Sequence, residues 1–202
     1  RLDGPNPGAR RWAFASARDR RVTDLDARYP IDDEHVSAFR RDGFVHLQAV
    51  LDPALLSRYG AEITRLTLAL NEETRSLEQR GTYDRAFLQV MNLWRASELV
   101  REFVFGRRLA RIAAGLLQVD GVRLYHDQSL YKEPGGGITP AHCDQYYWPL
   151  ASERTVTAWI PLQAVPPEMG PLEFYAGSHA ETRGRDLPIS DESERTIAAH
   201  ME

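Results

Sequence analysis

The sequence predicts an α+β domain with its helices first and its strands after. Two observations carry this. Apolar residues recur at three- and four-residue spacing across 53–70 and 107–118, the stripe of an amphipathic helix. After Asp120-Gly121 that spacing stops, and short β-branched or aromatic runs broken by Gly and Pro take over. Helices followed by successive strands point to helices packed on an antiparallel β-core.

A chain of 202 residues is long enough for one domain with a real core. Its 43% hydrophobic and 27% charged residues are ordinary for a soluble globular protein. The net charge of −4 gives no reason to expect nucleic acid as a partner. No long apolar run is present, so no membrane span is expected. The single cysteine, Cys143, excludes an internal disulfide and any multi-cysteine zinc site, and a reducing, cytoplasmic setting is expected.

Residues 1–30 read as an N-terminal arm rich in turn formers, and 31–202 as one domain. Asp32 caps a short helix carrying Val36 and Phe39, and Gly43 suits its end. "FVHLQAV" (Phe44–Val50) reads as a strand. Asp52-Pro53 is a cap followed by proline at the first helical position. Leu55, Tyr59, Ile63, Leu66 and Leu70 then form the core face of a long helix. Two more helices follow, Ser97–Phe105 and Arg107–Gln118, the second with a stripe of Leu109, Ile112, Ala113 and Leu116. Strands are predicted at Val122–Lys132, Arg154–Leu162 and Pro171–Ala176, the last entered through a Met169-Gly170 turn. Asp191, with Glu194 three residues on, opens a final helix with a capping-box-like start and with Ile197 and Met201 on one face. The sequence stops inside that helix, so further residues are expected beyond it.

Chemistry concentrates in "TPAHCDQYYWP" (Thr139–Pro149). In an extended chain, residues i and i+2 share a face, so His142 and Asp144 project together and Cys143 points away into packing. An imidazole beside a carboxylate supplies two corners of the 2-His-1-carboxylate set that holds Fe(II) and leaves positions open. Spacing alone leaves the bland reading standing: a surface loop whose His and Asp bond locally.

The flanks of that pair resemble the phytanoyl-CoA dioxygenase family of Fe(II)/2-oxoglutarate oxygenases. The similar text is "DQSLYKEPGGGITPAHCDQYYWPL" (Asp127–Leu150) and "RTVTAWIPLQAVPPEMGPLEFYAGSH" (Arg154–His179). Upstream, "FRRDGFVHLQAVLDPALL" (Phe39–Leu56) and "YDRAFLQVMNLWR" (Tyr83–Arg95) are similar too. The resemblance implies a double-stranded β-helix, jelly-roll and cupin-like, with the helices packed outside. It implies Fe(II) as cofactor, 2-oxoglutarate as cosubstrate and O2 as oxidant. His142 and Asp144 become the expected metal ligands; Thr139 either lines the 2-oxoglutarate pocket or is a turn residue before Pro140.

Other residues keep two readings. Gln128 and Lys132 share strand parity; either they face the cosubstrate, whose anionic groups would satisfy a buried cation or amide, or Lys132 snorkels to solvent. Thr157 and Trp159 share a face of the next strand, and Trp159 is either pocket wall or core aromatic. Tyr146, Tyr147 and Trp148 are placed to form a substrate mouth, and such aromatics also fill cores. Gln89 and Asn92 either reach the site or cap a turn. Gly135–Gly137 reads as a flexible loop beside the site, since it lacks a P-loop pattern.

The six histidines are His35, His46, His126, His142, His179 and His200. The resemblance puts the distal metal-binding histidine, and an arginine for the far carboxylate of 2-oxoglutarate, on strands past the final helix, so neither is expected within this sequence. His200 is on that helix and does not fill the gap. His179 is expected to be structural, and His126 to stand behind the site. The expected activity is hydroxylation of an unactivated C–H bond in a small organic molecule; related halogenases lack the carboxylate ligand that Asp144 supplies. Two alternatives are a non-catalytic β-helix protein binding a ligand or partner at a degenerate metal site, and a cupin-like enzyme without 2-oxoglutarate.

Overall fold

The structure is a computed structural model that describes residues 25–201. Most of the expected N-terminal arm, residues 1–24, lies outside the described residues. Its described end lies on the helices: Leu25 is in the core, its carbonyl accepts from Arg108 N–H at 2.7 Å, and the Tyr29 hydroxyl donates to Gln48 O at 2.8 Å.

Helix α1 spans Asp33–Asp42. The Asp32 carboxylate accepts from His35 N–H at 2.9 Å and the His35 ring answers at Asp32 N–H, so a histidine completes the capping box. Gly43 ends the helix at φ 83, and its lack of a Cβ is also what lets the His179 ring approach, since a Cβ there would lie 2.5 Å from Nδ1. His179 thus buttresses α1, a structural position.

Helix α2 (Pro53–Leu70) starts on Asp52, whose carboxylate accepts from Ala54 N–H at 2.7 Å. Tyr59, Ile63 and Leu66 are buried as the stripe requires, but Leu70 is 44% exposed. The buried face ends instead at Thr67, fully buried, whose hydroxyl donates to Ile63 O and bonds the Ser129 hydroxyl, each at 2.8 Å. After the short helix α3 (Thr82–Ala86) come α4 (Glu98–Val104), capped by Ser97, and α5 (Arg107–Leu117), which buries Ile112 and Leu116. Tyr59 and Phe103 pack with ring centroids 5.1 Å apart in a core shared with Leu51, Val90, Leu93 and Val100.

The one sheet among the described residues has two antiparallel strands, β1 (Leu88–Met91) and β2 (Gln128–Tyr131), with Gln89 opposite Leu130 and Met91 opposite Gln128. Opposed residues share a face. Val90 and Ser129 face α2, where the Tyr131 hydroxyl bonds Thr64 Oγ1 at 2.6 Å; Gln89, Met91, Gln128 and Leu130 lie on the opposite, open face.

Four expected strands are therefore corrected. Phe44–Val50, the first part of Val122–Lys132, Arg154–Leu162 and Pro171–Ala176 run outside any ladder. β-branched composition favours extended backbone, but a strand exists only where its N–H and C=O groups find a partner. Phe44–Val50 instead ends in a turn with Ala49 at φ 51. Phe44 still stacks on Phe174 at 4.8 Å, and Ile160 and Leu162 still pack on the helical core. The Met169-Gly170 turn forms, with Gly170 left-handed at φ 69.

Helix α6 spans Asp191–Met201. Its start is corrected by one residue: Ser190, not Asp191, is the cap, accepting from Ser193 N–H at 3.1 Å while Ser193 Oγ accepts from Ser190 N–H at 3.0 Å.

Candidate metal and cosubstrate site

Pro140 is buried, and its carbonyl is 2.7 Å from His142 Nδ1. A carbonyl only accepts, so Nδ1 carries a proton; in the neutral ring Nε2 then carries the lone pair, and in the imidazolium it carries a second proton. Cys143 is extended (φ −112, ψ 121) and half-buried, and Asp144 opens a 3-10 turn running to Tyr147. Asp144 is thus not in a strand, a correction to the parity argument, yet the pair converges: His142 Nε2 lies 3.3 Å from Asp144 Oδ1. The histidine side chain is 22% exposed and the aspartate 50%. Burial pulls the imidazole pKa down, but the bonds to Asp144 and to Pro140 outweigh it and the net shift is upward.

Two lone-pair atoms facing each other at this distance repel unless a proton or a metal cation joins them. Two neighbouring ligands at about 2.1 Å from one ion stand roughly 3–3.4 Å apart, so the pair fits a divalent metal. The backbone carbonyl behind Nδ1 is the usual device that orients a metal-binding imidazole.

Lys132 and Thr139 are also brought together. Lys132 Nζ donates to Thr139 Oγ1 at 3.2 Å, to Ala86 O at 3.2 Å and to Gly137 O at 3.1 Å. An ammonium has three donors, and all three are used. The cation is therefore satisfied without an anionic partner, contrary to the sequence-based argument; burial alone lowers its pKa. The glycine loop makes this possible, and it is packed rather than a loose flap. Gly137 N–H donates to Arg85 O at 3.0 Å, and a Cβ on Gly136 would lie 2.8 Å from that same carbonyl.

Gln89 and Gln128 meet on the open face of the sheet. Tyr83 donates its hydroxyl to Gln89 Oε1 at 2.8 Å, and Gln89 Nε2 donates to Gln128 Oε1 at 2.7 Å. Asn92 does not join them; it is left-handed (φ 57), and its side chain accepts from Trp94 Nε1 at 3.2 Å rather than capping the turn. Tyr146 and Tyr147 pack edge to face at 4.8 Å, and Tyr147 is 6.4 Å from the Tyr83 ring. Trp148 packs on His126, centroids 6.0 Å apart, and His126 Nδ1 is buried without a partner. Thr157 and Trp159 lie in an exposed extended segment on the face opposite Ile160 and Leu162, with Trp159 47% exposed. The structure thus leaves Trp159 as neither core aromatic nor enclosed pocket wall.

Among the described residues, no group of three His, Cys, Asp or Glu side chains gathers as a metal site. His200 bonds Thr196 O from α6 at 2.6 Å. No helix among them is long and apolar enough to cross a membrane.

Three residues were missed in the sequence. Tyr83 aligns the glutamine pair, and Asp127 accepts from Leu93 N–H at 3.1 Å behind β1. Glu194 Oε2 accepts from Ala141 N–H at 2.5 Å, next to His142. Only Glu194 left a local signal, and it was read as helix capping.

Comparison with known proteins adds one finding. The family model described as "Phytanoyl-CoA dioxygenase (PhyH)" matches residues 39–202. No curated protein and no solved structure matches at the threshold applied.

Proposed function

The chain belongs to the phytanoyl-CoA dioxygenase family, whose members are iron(II)- and 2-oxoglutarate-dependent oxygenases, and from that premise we propose that it hydroxylates an unactivated C–H bond of a small organic molecule. The observation that carries this is the convergence of His142 Nε2 and Asp144 Oδ1 at 3.3 Å with Nδ1 already committed to Pro140. Bound iron(II), with 2-oxoglutarate and O2 as co-reactants, supplies the oxidising power for that reaction.

The protein's part is to hold, orient and exclude. His142 and Asp144 hold the metal. Lys132 and Thr139 receive a carboxylate of 2-oxoglutarate, with Lys132 exchanging one of its neutral acceptors for a charged one; charge-assisted bonds are the stronger kind. Gln128 continues the Tyr83–Gln89 hydrogen-bond chain toward a polar group of a ligand on the open face. Tyr146, Tyr147 and Trp148 keep water from the substrate side. The architecture proposed around these faces is the double-stranded β-helix. It is supported by the family match and by the open face of the β1–β2 sheet, which turns from the helical core. Asp144 supports hydroxylation over halogenation. A small-molecule substrate, without nucleic acid or membrane, and a cytoplasmic setting complete the proposal.

Tryptophan fluorescence tests it. Mn(II) added with 2-oxoglutarate quenches or shifts the emission in the wild type and does neither in His142→Ala. An identical response in both proteins contradicts the assignment and returns the chain to the non-catalytic, ligand-binding class.

A further inference from the structure

The loop that carries the candidate ligands is held at one end by α6 and at the other by the segment that leads into it. On the N-terminal side, Glu194 Oε2 accepts from Ala141 N–H at 2.5 Å. On the C-terminal side, the Tyr147 hydroxyl accepts from Ile189 N–H at 2.8 Å. His142 and Asp144 lie between these two points. The helix start is itself anchored. Ser190 and Ser193 cap each other, Ser193 is fully buried, and Asp191 accepts from Thr82 Oγ1 at 3.0 Å.

We infer that Glu194 is a positioning residue, which sets the loop register at Ala141 so that His142 and Asp144 converge on one point. Ala141 is one residue from His142, and the Pro140 carbonyl that orients the imidazole belongs to the same peptide unit as the Ala141 N–H. Fixing that N–H fixes the plane of the peptide, and with it the direction of the carbonyl that holds Nδ1. Glu194 acts through this peptide and does not touch the metal position.

A plainer role is open to an acidic residue in the first turn of α6: its charge favours the helix N-terminus wherever the carboxylate points. The two roles respond oppositely to two conservative changes. Glu194→Gln keeps length and an acceptor oxygen but loses charge. Glu194→Asp keeps charge but loses reach.

The inference rests on His142 and Asp144 being metal ligands, so the experiment has one arm with metal and one without. In the full protein, amide exchange at Ala141 is measured metal-free, and Mn(II) affinity is measured by electron paramagnetic resonance. The expected result is that Glu194→Asp speeds Ala141 exchange and weakens Mn(II) binding by about tenfold or more. Glu194→Gln stays near wild type in both. Loss in the Gln variant with retention in the Asp variant overturns the inference in favour of the helix-charge role. Unchanged exchange in the Asp variant also overturns it, as does faster exchange with unchanged Mn(II) affinity. If the wild type takes up no Mn(II), the oxygenase reading fails, and the role of Glu194 in loop register is decided by the exchange arm alone.

Discussion

His142 Nε2 lies 3.3 Å from Asp144 Oδ1 while His142 Nδ1 is bonded to the Pro140 carbonyl, so Nε2 is left to face the aspartate, with a proton in the imidazolium and with a lone pair open to a metal in the neutral ring. The two side chains need a shared cation more than they need each other. Replacing Asp144 with Asn therefore separates metal binding from stability. Mn(II) affinity is expected to fall by about tenfold or more, since a charged ligand is lost. Unfolding free energy without metal is expected to change by less than about 1 kcal/mol, because the Asp144 side chain is half-exposed. Isothermal titration and urea unfolding check the two halves.

Gly136 has no room for a side chain, since a Cβ would lie 2.8 Å from the Arg85 carbonyl. Gly136→Ala is expected to destabilise the protein by roughly 1–3 kcal/mol, because backbone rather than a flexible side chain must give way. It also displaces the loop that returns Thr139 to Lys132, so 2-oxoglutarate binding weakens with it. Gly121→Ala is the control, with nothing within 4 Å of the new methyl. Chemical denaturation of the two variants checks the contrast.

Tyr83 donates to Gln89, and burial keeps its hydroxyl protonated by raising its pKa. Tyr83→Phe removes that donor and frees the Gln89 amide to turn over. The expected cost is about 1 kcal/mol in stability. Once a substrate is known, KM rises in this variant while the metal affinity is unaltered. A change in metal affinity instead would place Tyr83 nearer the ligands than its contacts do.

Burial holds the Asp127 carboxyl above its ordinary value of 3.8, although Leu93 and Trp94 N–H groups bond to it. A raised folded-state pKa means that the native state binds the proton more tightly than the unfolded chain. Stability therefore falls, relative to an uncharged variant, as pH rises from 3.8 through the folded value, and then levels off. The difference in unfolding free energy between wild type and Asp127→Asn, followed across this window, is expected to show that sign. A difference rising with pH contradicts it.

The helical half was legible because its signals are local. Asp32 and Gly43, Asp52-Pro53, and the Tyr59–Ile63–Leu66 stripe need only neighbouring residues to act. Leu70 breaks the pattern: the buried face of α2 ends at Thr67, which meets Ser129, and Leu70 is exposed beyond it. The strands were less legible because pairing is a contact between distant segments; composition marked Arg154–Leu162 as extended but carried no word about a partner. Burial still separates residues there, with Thr157 and Trp159 exposed and Ile160 and Leu162 packed on the core. At the site, His142 and Asp144 could be read from their spacing and flanks. The Lys132–Thr139 and Gln89–Gln128 contacts could not, because each joins side chains across a loop or a ladder.

The most direct test of the central claim is turnover of 2-oxoglutarate to succinate by the full protein with Fe(II) under air, compared with His142→Ala. Oxygen-dependent succinate formation in the wild type, reduced to background in the variant, is the predicted result. Equal turnover in both proteins would contradict it.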